Sequence, residues 1–315
     1  MAVWLLLIAP VAALADDWPS QPIKLVVPFA AGGVTDIVAR LLGKSLSEAL
    51  NTPVVVENVA GANGGIGASQ VARSKPDGYT LLMGTPGALA ANMVLMKQPQ
   101  YDVDKDFAPV ATVVTLPNVL IVRVDLGVDS VAQLIDRLRK EPNKLSFGVN
   151  GIGANGHLTT ELFKARTKTE ALAVPYKGAA PMLMDLIAGQ TDFTIDQATS
   201  ASTYIRGNRV KVLAVASKER SPYFPDVPTL IESGVKDFDA SSWLAIAVPK
   251  ATPPAIVARL NSEINKALKS TALLESMPQF FATPAGGTPD DMQRLVKEET
   301  ERVRFVAKYA NIPIQ

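Results

Sequence analysis

Two stretches of this sequence share a pattern that could hold an anion. In the first, Leu25 to Leu42, a β-rich run passes through Pro28-Phe29-Ala30-Ala31-Gly32-Gly33 into a helical pattern. In the second, Leu145 to Phe163, another such run ends in the turn Asn150 to Gly156 and again leads into a helix. Glycine at such turns lets backbone N–H groups approach a ligand closely, and the turn through Gly33 is expected to need a positive φ. The helix that follows offers unpaired donors and a partial positive charge at its start. Two of these turns facing one another would clamp an anion, a carboxylate in particular. Taken singly, each is equally an ordinary strand-to-helix connection.

Enzyme chemistry fares worse on spacing. Gly61-Ala62-Asn63-Gly64-Gly65-Ile66-Gly67 fits the Gly-x-x-x-Gly-x-Gly turn of short-chain dehydrogenases, and Tyr101 with Lys105 supplies their Tyr-x-x-x-Lys. A complete strand–helix unit already precedes that turn, however, and Pro99 and Pro109 flank the Tyr–Lys segment, which shows no helical stripe. There is no Gly-x-Ser-x-Gly nucleophile elbow. A Ser–His–Asp arrangement would have to use His157, which stands at a predicted helix start, where it caps the turn or meets a ligand as a neutral donor. Asp36 and Asp196 form no acid/base pair at any defined separation, and Asp36 suits the first turn of its helix, where the dipole favours it. No catalytic residue is assigned.

Composition narrows the field further. Lys plus Arg number 31 against 30 for Asp plus Glu, which gives no electrostatic reason to expect nucleic acid or an anionic membrane as partner. With no cysteine, disulfides, thiolate–zinc sites and cysteine nucleophiles are excluded. A single histidine rules out sites that need several imidazoles, so no metal and no cofactor is expected.

The first residues address the compartment. Val3 to Leu14 is an apolar run broken only by Pro10; Ala13-Leu14-Ala15 and then Asp16-Asp17 follow. This reads as a secretory signal, residues 1–15, cut after Ala15. It is shorter than the ~20 apolar residues of a membrane span. No Lys or Arg precedes the run, so either translation starts upstream or the initiator amine supplies the positive charge. Without cysteine there is no lipoprotein anchor, and the expected product is exported and soluble.

The elements that would position the turns alternate in the α/β manner, with largely parallel sheets expected. Strands are read at Ile23–Val27, Pro53–Glu57, Tyr79–Met83, Leu145–Val149, Thr191–Asp196, Val210–Val215 and Trp243–Val248. One helix carries Val38, Leu41, Leu42, Leu46 and Leu50 at helical spacing, and another carries Leu158, Leu162 and Phe163. Ser130 opens a helix with a capping-box pattern, Thr252-Pro253 opens one as N-cap and first residue, and Thr288-Pro289 opens the last in the same way.

Many short motifs in one order then point to a family. Trp18-Pro19 to Lys24, Val27 to Gly33 with Asp36 and Arg40, and Val56-Glu57-Asn58 with Gly61 to Gly67 come first. Pro76-Asp77-Gly78-Tyr79-Thr80-Leu81, Gly151 to Leu158 and Val174 to Gly178 follow. Asp226-Val227-Pro228-Thr229 with Glu232 and Gly234, Trp243, and Thr252-Pro253 complete the set. The chain resembles the Bug receptors, periplasmic solute-binding receptors of tripartite tricarboxylate transporters, from Trp18 to its end.

That resemblance implies a type II periplasmic-binding-protein fold: two α/β domains joined by two crossing strands, with a ligand cleft between them. It implies domain 1 at 16–117 and 247–315, domain 2 at 118–246, and crossings near Thr115–Val122 and Ser241–Val248. A ligand carboxylate would be held by backbone groups and water at Phe29, Ala31, Gly32, Gly33, Thr35 and Asp36 of one domain. Asn150, Gly151, Gly153, Ala154, Gly156 and His157 of the other would face them. Gly84, Thr85, Tyr176 and Asp196 would line the rest. The implied protein is a periplasmic monomer that passes its ligand to membrane permease subunits. The ligand classes are di- or tricarboxylates, aromatic carboxylates and acidic amino acids. Two other roles stay open: a ligand sensor for a histidine kinase, and an exported enzyme.

Overall fold

Ile23 to Val27 bury every side chain but that of Lys24, and this apolar run becomes an interior strand of a sheet rather than its edge. The computed structural model describes residues 18–314, so the expected signal segment 1–15 lies outside the described residues. In chain order the first unit runs β1 (Ile23–Val27), α1 (Val34–Leu50), β2 (Val54–Asn58), α2 (Gly65–Ala72), β3 (Thr80–Gly84), α3 (Asn92–Leu95), α4 (Val103–Asp106) and β4 (Phe107–Leu116). The second runs β5 (Asn118–Arg123), α5 (Val131–Lys140), β6 (Ser146–Val149), α6 (Asn155–Thr167), β7 (Leu172–Pro175), α7 (Ala179–Ile187), β8 (Phe193–Gln197), α8 (Ser202–Arg206) and β9 (Val210–Val215). The chain closes with β10 (Ser242–Pro249), α9 (Pro254–Ala267), α10 (Thr271–Ser276), β11 (Thr283–Gly286) and α11 (Pro289–Tyr309).

Two sheets result, ordered β11-β4-β10-β3-β1-β2 and β7-β6-β8-β5-β9. Both are mixed, against the largely parallel expectation. β1 runs parallel to β2 and β3, and β6 to β7 and β8, as strand–helix–strand units require. The strands that carry the chain between sheets, β4, β5 and β10, run antiparallel to their neighbours.

Helices cover both faces of each sheet. Val38, Leu42 and Leu46 of α1 meet Leu260 and Ile264 of α9 on one face of the first sheet. Each such fully buried side chain contributes about 1.5–3 kcal/mol by leaving water. In the second sheet Phe147 and Phe193 pack with Leu162 and Phe163 of α6.

The chain passes between sheets first at Pro117, between β4 and β5, within the expected crossing near Thr115–Val122. The return occupies residues 216–241, and β10 then lies wholly in the first sheet, with Ser242 opposite Leu116. The passages are tied together: the Asn118 side chain donates to the Ala240 carbonyl at 2.6 Å, and the Ala216 N–H to the Asn118 carbonyl at 2.8 Å. The expected boundary at 246/247 therefore falls inside a strand. The stretch 247–315 is also shared between units: Met292 of α11 packs in the first, but Val303, Val306 and Ile312 join the core of the second sheet. The 21-residue α11 is long enough to reach both.

Helix starts largely follow their caps. Thr288 and Asp291 form a complete capping box on α11. On α5 only half of one forms, because Gln133 reaches the Asp129 N–H instead of that of Ser130. α9 begins one residue later than expected: Pro253 is its N-cap and Pro254 its first residue, while the Thr252 hydroxyl turns back to the Pro249 carbonyl at 2.7 Å.

Candidate functional site

Both glycine turns open onto one cavity of about 480 Å³ between the two sheets. A larger cavity, about 990 Å³, lies along the return segment and α11 and includes neither turn.

The first wall is the connection from β1 to α1. Gly32 takes φ +87°, which an L side chain rarely adopts, whereas Gly33 is the N-cap with φ −78°. The positive φ expected in this turn thus falls on Gly32, and Gly33 itself is extended. Asp36 explains why the turn holds its shape. Its buried carboxylate accepts from the Gly32 N–H and the Asn58 amide, both at 2.9 Å, and pairs with Arg40 at 2.9 Å. Burial opposes ionisation here, but the donors from Arg40, Gly32 and Asn58 prevail and hold the carboxyl below its ordinary pKa. Phe29, Gly32, Gly33 and Thr35 line the cavity; Ala31 and Asp36 do not. Asp36 is therefore a brace behind the turn rather than a contact, and it consumes the Gly32 N–H. The donors left facing the cleft are those of the first turn of α1, which have no carbonyl inside the helix.

The second wall is the connection from β6 to α6. Gly151 and Gly153 carry φ of +151° and +76°. The Gly153 N–H donates to His157 Nδ1 at 3.0 Å, so the neutral ring carries its proton on Nε2. His157 is buried and off the cavity wall, and of its two expected roles it fills the turn-capping one. Burial, helped by the Lys164 ammonium, lowers its pKa to about 4. A depressed histidine pKa means stability present above the ordinary value near 6.5 and lost as pH falls towards 4. Melting temperature should accordingly decline through that window, because the unfolded chain takes up a proton that the folded ring, kept neutral by burial, does not accept, and His157→Asn should flatten the decline. A parent profile as flat as that of the variant would overturn this role.

Asn150 and Gly153 line the cavity, while Gly151, Ala154 and Gly156 stand behind it. Gly156 is where α6 meets β8: a Cβ there would sit 2.9 Å from the Ile195 carbonyl and 3.0 Å from Asp196 Oδ1. Asp196 lines the cavity, is 2% exposed, and accepts from Asn150 Nδ2 at 2.9 Å through Oδ1. Burial pushes its pKa up to about 7, tempered by the Gln197 N–H and the Ser200 hydroxyl nearby.

Of the remaining expected residues, Thr85 lines the cavity and Gly84 does not, because the latter packs on Leu89. Tyr176 is a correction: it lies off the cavity, and its hydroxyl is committed to Asp185 at 2.8 Å. The sequence reading missed Asn63, Asn155, Gln197, Thr199, Ser200, Ser242 and Glu299, all on the wall. Glu299 left one signal. It occupies a core-facing place in the stripe Met292, Leu295, Val296, Val303, Val306 of α11, and it is buried against Arg302.

Among the described residues no Lys, Arg or His lines the cavity; Asp196 and Glu299 are its charged members. The dehydrogenase-like run has a packing explanation, since a Cβ on Gly67 would touch Pro28 at 3.0 Å. Tyr101 is buried, its hydroxyl on the Ala88 carbonyl.

Comparison with known proteins follows this geometry. Residues 38–312 match the profile of the tripartite tricarboxylate transporter family receptors. BugT of Bordetella pertussis is 41% identical over 93% of this chain and 90% of its own. The R. palustris protein Rpa4515, solved with adipate, is 42% identical with a TM-score of 0.81, covering 94% of this chain and 99% of that one. MatC from Rhodopseudomonas palustris, solved with malate, is 32% identical with a TM-score of 0.76, covering 92% of this chain and 99% of that one. With these likenesses the two mixed sheets and their cleft are the expected two-domain binding-protein architecture.

Proposed function

The chain belongs to the tripartite tricarboxylate transporter receptor family, and from that premise we propose that it captures a small carboxylate in the cleft and delivers it to the membrane permease of such a transporter. One observation carries the ligand class: two glycine turns, each leading into a helix, converge on a single cavity with no cationic side chain on its wall among the described residues. An anion there is recognised by backbone N–H groups and water rather than by a guanidinium. Similar proteins hold adipate and malate, which agrees with that class. Di- and tricarboxylates, aromatic carboxylates and acidic amino acids are the candidates.

The protein acts by binding and release, without catalysis, as an exported monomer cleaved after Ala15. Its two domains meet at Pro117 and along 216–241, and hinge closure there is the working motion. The closed form is what the permease recognises.

One preparation tests this reading. Protein recovered from the periplasm should begin at Asp16 by mass spectrometry, and a carboxylate panel should raise its melting temperature. Ligand at about a hundred times its Kd stabilises the fold by about 2.7 kcal/mol. The monoester of the same ligand, which keeps the shape and loses the charge at one end, should bind far more weakly. A panel without any response would sink the receptor assignment, and equal affinity for acid and ester would sink the backbone clamp.

A further inference from the structure

One oxygen of the Asp196 carboxyl stands in the cleft wall without a hydrogen-bond partner. Asp196 Oδ1 accepts from Asn150, but Oδ2, fully buried, has no hydrogen-bond partner among the described residues. Asn150 Oδ1 is also without a partner among the described residues. The two oxygens sit on residues of the same wall, at the end of β8 and in the turn before α6. Among the described residues no cation pairs with Asp196, whereas the other acid of the cavity, Glu299, has Arg302. A buried polar atom without a partner destabilises the empty cleft, and more so when charged. A ligand that supplies a donor at this point recovers that cost, while one that presents a bare carboxylate adds repulsion to it.

Resting on the receptor reading above, we infer that Asp196 is the specificity-determining residue of the cleft and selects carboxylates that carry a hydrogen-bond donor, a hydroxyl or an ammonium group, at the end away from the clamped carboxylate. The clamp and the acceptor divide the work. Backbone N–H groups of α1 hold the anionic end, and Asp196 with Asn150 reads the substituent. An ammonium group also neutralises the buried carboxylate, so amino and hydroxy members of one carbon skeleton separate the charge contribution from the hydrogen bond.

The experiment is calorimetry on matched sets that differ only in the donor: succinate, malate and aspartate; glutarate, 2-hydroxyglutarate and glutamate; adipate, 2-hydroxyadipate and 2-aminoadipate; benzoate, 4-hydroxybenzoate and 4-aminobenzoate. In the set that binds best, the donor-bearing members should exceed the plain acid at least tenfold. Asp196→Asn is nearly isosteric: its Oδ1 keeps the Asn150 hydrogen bond, so its amide nitrogen turns a donor to the ligand where Oδ2 was an acceptor. The preference should shrink to within about threefold or reverse. A plain acid that binds the wild type as tightly as its substituted partners overturns the inference, and this comparison holds whether or not the variant folds. A preference that persists in a folded Asp196→Asn protein also overturns it and transfers the reading of the donor to Ser200 or Gln197. If no acid in any set binds the wild type, the receptor reading fails first, a result distinct from acids that bind without discrimination.

Discussion

Gly33→Val should lower carboxylate affinity at least a hundredfold while the melting temperature of the unliganded protein moves by only a few degrees. The fold tolerates the change because Gly33 has φ −78° and ψ 166°, extended backbone that valine favours. A Cβ placed there meets nothing closer than the Ala30 carbonyl oxygen at 3.8 Å. Valine is a poorer N-cap than glycine, a cost of at most about 1 kcal/mol. The binding loss comes from position. Gly33 lines the cavity, and an isopropyl group at that point stands between the ligand and the N–H groups of the first turn of α1. Two orders of magnitude correspond to about 2.8 kcal/mol, the worth of one or two hydrogen bonds to a charged group. Calorimetry on the folded variant decides the matter: parental affinity would show that the first turn is merely a connection. Gly32→Val is the informative contrast, since φ +87° there makes it a folding defect as well.

Asp36→Ala should cost about 2–4 kcal/mol of stability and weaken ligand binding, although Asp36 lines no part of the cavity. Its carboxylate collects the Gly32 N–H, the Asn58 amide and the Arg40 guanidinium around one buried point. Removing it leaves the Gly32 N–H without its acceptor beneath the turn. Arg40 is 52% exposed and can turn to water, and Asn58 still donates to the Phe29 carbonyl, so the loss stays below that of a fully buried pair. Asp36→Asn keeps an acceptor for Gly32 and should lose about half as much. The sign of the pH dependence follows from the depressed pKa: the contribution is present above the ordinary carboxylate value and is lost as pH falls through the lowered one. The gap between parent and variant in chemical denaturation should therefore close in strong acid. An unchanged denaturation midpoint for Asp36→Ala at neutral pH would remove the brace from the account.

Much of the fold was legible because it is written locally. Ile23–Val27 and Val210–Val215 are apolar runs of strand length, and both strands form with those limits. Thr288, Pro289 and Asp291 specify a helix start within four residues, and the capping box forms. The two glycine turns were readable as candidate anion sites since each pairs backbone freedom with a helix N-terminus a few residues on. Even Glu299 left a trace, a carboxylate in an apolar stripe.

What the sequence by itself determined is the conformation and donor content of each turn. The tertiary structure decided which residues of those turns face the cavity. Asp36 and His157 look like site residues on the chain, yet one lies behind its turn and the other bonds back to Gly153, because each accepts from a glycine N–H of its own turn. Asp196 and Asn150 are 46 residues apart and share a hydrogen bond only because β6 and β8 are neighbours in the sheet. Glu299 enters the cleft from the last helix, which crosses from one core to the other. Backbone conformation is set by steric and hydrogen-bonding preferences over a few residues. Burial and partnership are set by packing between segments distant in the chain, and no local pattern encodes which of them meet.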